Sequence, residues 1–187
     1  EQTKTSLRTT LERVTALEPE HISFYGLKVE ENTPFAQIKD SLMLPDEDDE
    51  FQMYMDSVKF LEEKGYKHYE ISNFARDGYK CKHNLKYWNC DDYLGLGPAA
   101  HSYYNGTRFS FKNDVEMYVE ALENLEQEFD LTEEYYEISA SERVGEYIML
   151  RMRLTDGINT DKFHELFGLD FEKLFGEFLE YYMKHGF

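Results

Sequence analysis

The chain has 187 residues, of which 41% are hydrophobic and 16% aromatic, so it can bury a core and does not have the composition of a disordered protein. Its 38 acidic and 20 basic residues give a net charge of -18, which argues against non-specific binding to nucleic acids or anionic membranes. No apolar run approaches the roughly 20 residues of a membrane span. Two cysteines are too few for a disulfide scaffold. We expect a cytoplasmic protein that binds small molecules or other proteins.

The front of the chain alternates helical and strand patterns. Helices are predicted over 6–17 and 46–64, and strands over 21–29 and 66–74. The second helix has a capping aspartate, Asp46, at its start and Gly65 at its end. Its predicted buried face consists of Phe51, Tyr54, Val58 and Leu61. Because helix and strand alternate, we expect right-handed crossovers and a parallel sheet, with ligands at the carboxyl ends of the strands.

The rear of the chain has a different pattern. Residues 74–92 show no clear period and are predicted to be irregular, 93–97 read as a short strand, and Asn105-Gly106 predicts a hairpin turn. After Lys112 only helical patterns follow, with capping residues Asn113, Ser139, Asn159 and Asp170. The last helix is predicted to turn inward Phe171, Leu174, Phe175, Phe178 and Tyr182. We therefore predict two domains, over 1–111 and 112–187.

The most distinctive stretch is 83–88, which contains His83, Asn84, Tyr87 and the single tryptophan, Trp88. His83 is a candidate nitrogen ligand for a haem iron, and the two aromatic rings can flank a flat macrocycle. The alternative is a tucked loop in which the histidine bonds to a backbone carbonyl. Residue chemistry alone favours that alternative.

Two further groups of residues are candidates for a metal site or a buried functional carboxylate. Cys81 and Cys90 lack the spacing of zinc or iron–sulfur ligands, so two reduced cysteines are the simpler interpretation. Glu70 alternates with two apolar neighbours and is a candidate buried carboxylate, provided that its face of the strand lines a barrel interior.

Two apparent motifs are rejected. The glycine-rich run 95–100 superficially matches a dinucleotide fingerprint, but Pro98 removes an amide and a hairpin follows where a helix is required. The acidic run 46–50 lacks the alternation and the central glycine of a calcium loop, and helix N-terminal charge explains it.

Several segments together resemble the oxygen-independent coproporphyrinogen III oxidase-like radical-SAM family, and its haem-chaperone (HemW) branch more than its oxidase (HemN) branch. They are HISFYGL at 21–27, EENTPF at 30–35, YEISNFA at 69–75, HNLKYW at 83–88 and YLGLGPAAHS at 93–102. The resemblance implies an α/β fold. Its parts are the rear of a partial (β/α) barrel with parallel strands and a mostly helical, winged-helix-like C-terminal domain.

The resemblance also implies ligands. In the chaperone branch a His-Asn-x-x-Tyr-Trp motif is associated with haem, which implicates His83, Asn84, Tyr87 and Trp88, with His83 as the iron ligand. Contacts to S-adenosylmethionine are implied less directly, at Lys28, Gly95, Gly97 and His101. Family members hold a [4Fe–4S] cluster on three cysteines in a front portion. The chain starts without Met and ends just after Gly186, so we expect a rear portion without that motif, which is inactive alone.

Three functions stay open at this point. The first is a haem-binding and haem-transfer module that passes haem to an acceptor protein. The second is a radical oxidase that decarboxylates coproporphyrinogen III, and the lysine and arginine residues of the presumed ligand loops do not exclude it. The third is a non-catalytic interaction domain whose helical tail docks a partner.

Overall fold

The computed structural model describes residues 2–186, whose contacts separate between Cys81 and Lys82 into two units. The first unit contains α1 (Lys4–Ala16), β1 (His21–Ser23), α2 (Pro34–Gln37), α3 (Glu47–Glu63), β2 (Lys67–Glu70) and β3 (Asn73–Ala75). The second contains α4 (Lys82–Trp88), β4 (His101–Tyr104), β5 (Thr107–Phe111), α5 (Val115–Glu123), β6 (Thr132–Glu137), α6 (Ala140–Arg151), α7 (Thr160–Phe167) and α8 (Phe171–Lys184).

The first unit packs α1 and α3 over a small sheet. Asp46 caps α3 as predicted, because its carboxylate accepts a hydrogen bond of 2.8 Å from the amide of Asp49. The predicted buried face of α3 is confirmed at Leu61 and at Val58, which packs against the core, but it is wrong at Phe51, which is 63% exposed. The residues that α3 buries are Met53, Ser57, Phe60 and Leu61. They join Leu7, Leu11 and Phe74 in the core.

The sheet of the first unit is antiparallel, so the predicted parallel sheet is wrong for the strands described here. Its order is β1-β3-β2, and β3 runs antiparallel to both neighbours. The predicted strand over 66–74 reverses at Ile71 and Ser72, and Glu70 pairs with Asn73 across that two-residue turn. Strands β1 and β2 therefore run in the same direction, as a crossover through α3 requires, but β3 lies between them.

The second unit is built on an antiparallel sheet of order β4-β5-β6. Its first hairpin confirms the Asn-Gly prediction, because Asn105 and Gly106 have φ of 48° and 79°, the left-handed values that a type I′ turn needs. Strand β6 corrects the prediction of helices alone after Lys112, since it pairs with β5 from Thr107 to Phe111. The irregular segment predicted over 74–92 likewise contains a helix, α4.

The helices after β6 begin where the sequence indicates. Ser139 forms a capping box at α6, Asn159 and Asp170 cap α7 and α8, and Gly168 ends α7 with φ of 66°. Phe163 of α7 is fully buried. Its ring lies 5.0 to 6.1 Å from those of Tyr147, Phe167 and Phe171.

The predicted inward face of α8 is wrong for most of its length. Leu174 is 48% exposed, Phe178 67% and Tyr182 53%. An apolar stripe shows that a helix can be covered, but it does not show that a described element covers it. The domain boundary predicted near Lys112 stays a prediction, although the pairing of β5 with β6 joins the two sides of that position. Among residues 2–186, no helix is long and apolar enough to cross a membrane.

Candidate functional site

Helix α4 places the four predicted haem-binding residues on one face. Successive residues of an α-helix are about 100° apart, so His83 and Tyr87 form one row and Asn84 and Trp88 the adjacent row. His83 is exposed, and the other three are partly buried. The irregular structure predicted for residues 83–88 is wrong, because this stretch is helical. The spacing of the four residues in the motif is that of neighbouring positions on one helix face.

His83 and Tyr87 contact each other directly. The Nε2 atom of His83 lies 3.1 Å from the hydroxyl oxygen of Tyr87, and the two rings meet edge to face with centres 5.0 Å apart. The His83 ring therefore hydrogen-bonds to a side-chain hydroxyl, and not to the backbone carbonyl that the tucked-loop alternative predicts. An exposed imidazole nitrogen whose contact is a tyrosine hydroxyl is accessible to a ligand from solvent.

A cleft of about 440 Å³ adjoins this face of α4 within the second unit. Its lining consists of Tyr87, Trp88, Cys90, Tyr93, His101, Tyr103, Arg108, Glu146 and Leu150. The volume falls in the range of pockets that bind small organic ligands. Tyr87, Trp88 and His101 are predicted site residues, and Arg108 is one of several cations of the presumed ligand loops. Glu146 has no local sequence signal, because β5 and α6 bring it to Arg108 across 38 residues.

The aromatic residues of the cleft form a continuous row. The ring of Tyr87 lies 4.6 Å from that of Tyr93, which lies 6.5 Å from that of Tyr103. The guanidinium carbon of Arg108 lies 5.9 Å from the centre of the Tyr103 ring. Burial raises the pKa of the Tyr93 hydroxyl, which keeps this phenol neutral. The row presents apolar ring edges and faces, with one cationic group at its end.

Trp88 has an unsatisfied donor. Its Nε1 atom is buried and has no hydrogen-bond partner among the described residues, while the guanidinium of Arg153 stacks 4.4 Å from its ring centre. A buried N–H without an acceptor costs on the order of 1–3 kcal/mol. Because Trp88 lines the cleft, an acceptor atom of a bound ligand is a natural partner for this N–H group.

The charged residues of the cleft, Arg108 and Glu146, form an ion pair. An Nη2 atom of Arg108 donates to a carboxylate oxygen of Glu146 at 2.5 Å, and both side chains are mostly buried. Burial acts to lower the pKa of Arg108, but the hydrogen bond and the charge of Glu146 outweigh it, so the pKa is raised and the guanidinium stays charged. The pair holds a permanent cation beside the aromatic row.

Cys90 lines the same cleft but is poorly suited to bind iron. Burial, followed by the negative charge of Glu146, raises the pKa of its thiol from 9.0 to about 11. The thiolate is the form that binds metals, and it is scarce at neutral pH for such a group. Both cysteines are free, as predicted.

The four residues that the resemblance links to S-adenosylmethionine lie in both units. Lys28 belongs to the first unit, where it is exposed and forms a surface ion pair of 2.9 Å with Glu30. Gly95 and Gly97 lie in one loop of the second unit, which leads without opening a helix into β4, whose first residue is His101. A Cβ at position 95 would overlap the carbonyl oxygen of His101, and Gly97 has φ of +110°, so both positions require glycine.

Glu70 is fully buried in the first unit, as the sequence suggested. It accepts a hydrogen bond from the amide of Asn73, whose oxygen accepts one of 2.7 Å from the hydroxyl of Ser23. Nearby, Nε2 of His21 lies 2.8 Å from the hydroxyl of Tyr69, and burial lowers the pKa of this histidine. These contacts tie the sheet together across β1, β2 and β3.

Within residues 2–186, no three side chains of histidine, cysteine, aspartate and glutamate are grouped as the ligands of a metal ion would be. The donor set for an iron–sulfur cluster is therefore not met by these residues, and we assign the cluster to none of them.

Comparison with known proteins supports the resemblance. The model of the HemN C-terminal domain matches residues 138–187. The haem chaperone HemW of Lactococcus lactis is 34% identical over 178 residues, which are 94% of this chain and 46% of that protein. HemW of Bacillus subtilis is 34% identical over 181 residues, 96% of this chain and 47% of that protein. The chain thus spans about half the length of these relatives.

A solved structure agrees in fold. Coproporphyrinogen III oxidase (HemN) from Escherichia coli, described as a radical SAM enzyme, matches 96% of this chain and 44% of its own with a TM-score of 0.72 and 18% identity. At that identity the likeness concerns the fold alone, whereas the relatives with 34% identity bear on the branch. The chain is similar along most of its length to proteins named haem chaperone HemW, its residues 138–187 match the HemN C-terminal domain, and it shares the fold of HemN.

Proposed function

We propose that this chain binds haem as a cargo and takes part in its transfer to an acceptor protein, as the names of its HemW relatives suggest. The observation that carries the proposal is the common face of His83, Asn84, Tyr87 and Trp88 on α4. Four residues chosen by a motif occupy adjacent rows of one helix, and two of them, Tyr87 and Trp88, border an aromatic cleft.

Each of the four has a role that follows from its chemistry. His83 offers an imidazole nitrogen to the haem iron, which imidazole suits well. The rings of Tyr87 and Trp88 supply flat apolar surface for the macrocycle. Asn84 shares the Trp88 row, and its amide can donate to or accept from a polar group at the edge of the ligand. Cys90 stays a protonated thiol and leaves the iron to His83.

We infer that the relatives' radical-SAM chemistry belongs to the longer protein. S-adenosylmethionine and a [4Fe–4S] cluster supply radical chemistry where they are bound. Lys28, Gly95, Gly97 and His101 stay predictions for contacts to S-adenosylmethionine, and no step is routed through them. We place the protein in the cytoplasm, a reducing compartment that is compatible with the free Cys81 and Cys90.

Haem titration of the chain tests the proposal through the Soret band. We expect binding by the unsubstituted chain and an affinity about tenfold or more lower in His83→Ala, because the iron loses its ligand. His164→Ala is the matched control, since His164 is an exposed helical histidine of the same unit whose Nδ1 lies 3.1 Å from the carbonyl oxygen of Leu169. Equal binding by the unsubstituted chain and His83→Ala would show that His83 is not the ligand.

A further inference from the structure

We propose that the cleft beside α4 is a subsite for the anionic edge of a planar ligand, with Arg108 and the indole N–H of Trp88 as the groups that hold a carboxylate. The inference rests on the proposed function, because the propionates of haem supply such a carboxylate. It adds a determinant outside the His-Asn-x-x-Tyr-Trp motif, on strand β5.

The cleft offers apolar contacts that end at a cation. From Tyr87 a row of rings continues through Tyr93 to Tyr103, with neighbouring centres 4.6 and 6.5 Å apart and planes inclined by 65° and 45°. Arg108 lies at the far end of this row, with its guanidinium carbon 5.9 Å from the Tyr103 ring. A ligand in the cleft therefore meets ring edges and faces along its length and a cation at one end.

The donors of the site are suited to a carboxylate. A guanidinium carries five N–H groups in a planar fork. Glu146 and Tyr136 each accept a hydrogen bond from Arg108, so further N–H groups remain for a ligand oxygen. The buried Nε1 of Trp88 lacks an acceptor among the described residues and lines the same cleft. In a chain with a net charge of -18, such a partly buried cation is a specific anchor for an anion.

Glu146 acts as an internal competitor in this arrangement. Its carboxylate already pairs with the Arg108 guanidinium that a ligand carboxylate would approach, and its negative charge repels that ligand. The two members of the pair should therefore have opposite effects on binding. Removing Arg108 weakens binding of the anionic ligand, and neutralising Glu146 strengthens it. A pair that only stabilises the fold would give effects of the same sign.

The test compares three probes on the chain: haem, haem dimethyl ester with both propionates blocked, and iron-free protoporphyrin. In Arg108→Gln we expect about tenfold weaker binding of haem and of protoporphyrin, with the ester unchanged, because a charge-assisted hydrogen bond is lost. In Glu146→Gln we expect haem binding at least about twofold tighter, from the loss of one competing charge. Lys173→Gln, which removes an exposed cation of α8, is the charge-matched control.

The outcomes separate this inference from the proposed function. His83→Ala should leave the affinity for iron-free protoporphyrin unchanged, since that probe has no iron to bind. If Arg108→Gln weakens haem and its ester equally, or if Glu146→Gln weakens haem as Arg108→Gln does, the subsite is refuted while haem binding at His83 stands. If the unsubstituted chain binds neither haem nor protoporphyrin, the proposed function itself fails.

Discussion

Replacing Tyr87 by phenylalanine should tighten haem binding. The Tyr87 hydroxyl lies 3.1 Å from Nε2 of His83, and whichever atom carries the proton, this hydrogen bond must break before Nε2 binds iron. An intramolecular hydrogen bond contributes about 0.5–1.5 kcal/mol net, which corresponds to a factor of about 2 to 13 in affinity. Because His83 is exposed, the lower part of this range is expected, and the phenyl ring retains the flat surface.

The assay is a Soret titration of Tyr87→Phe beside Tyr104→Phe. Tyr104 is a half-exposed tyrosine of the same unit on β4 and serves as the control for loss of a hydroxyl. Tighter binding in Tyr87→Phe alone is the expected result. Weaker binding in Tyr87→Phe would refute the reasoning, because it would mean that the Tyr87 hydroxyl contacts haem or orients His83 for it.

Two further predictions concern stability and thiol chemistry. Phe163→Ala should lower the free energy of unfolding by about 3–5 kcal/mol, because the ring is fully buried. Phe178→Ala should change it by less than about 0.5 kcal/mol, because that ring is 67% exposed. Urea unfolding followed by circular dichroism compares the two variants. Cys90 should react with iodoacetamide near pH 8 about 100-fold more slowly in the folded chain than in urea. The reason is that a thiol pKa of about 11 in place of 9.0 reduces the thiolate fraction by that factor. Peptide mass spectrometry measures the two rates, and equal rates would contradict the raised pKa.

Helix boundaries were the most predictable part of this fold. Asp46, Ser139, Asn159 and Asp170 all cap helices, because a side-chain oxygen can satisfy an exposed amide of the first turn whatever the tertiary context. The cap predicted at Asn113 is wrong by one residue, since Asp114 caps α5. The buried face of α3 was less predictable. Several of its rows are apolar, and only the position of α1 and the sheet decides which row is covered.

The strands were predicted less well because their pairing is not local. The turn at Ile71 and Ser72 contains no glycine, proline or asparagine, so it has no sequence signature and two strands were read as one. Strand β6 is exposed throughout, and its run of glutamates and tyrosines alternates too weakly to indicate a buried face. The Asn105-Gly106 turn, by contrast, was recognised because few other residue pairs adopt its backbone conformation easily.

The candidate site was half predictable for the same reason. Residues close in sequence, such as Asn84 and Trp88, were grouped by their motif, and α4 does bring them to one face. Arg108 and Glu146 face the same cleft, but their meeting depends on the packing of β5 and α6. A motif finds the residues that one helix can present, and only the fold finds those that other elements add.

The haem-binding face depends on its support. Helix α4 has seven residues, too short to be stable alone, and its end is held from α6: Arg151 donates to the side-chain oxygen of Asn89 at 2.7 Å and also to the carbonyl of Gly157. Arg153 stacks on Trp88 from the same segment. A ligand that binds the folded form adds to its stability, so haem bound at the proposed site would stabilise the same geometry as these arginines. The site thus belongs to the packing of α4 on α6 as much as to the motif.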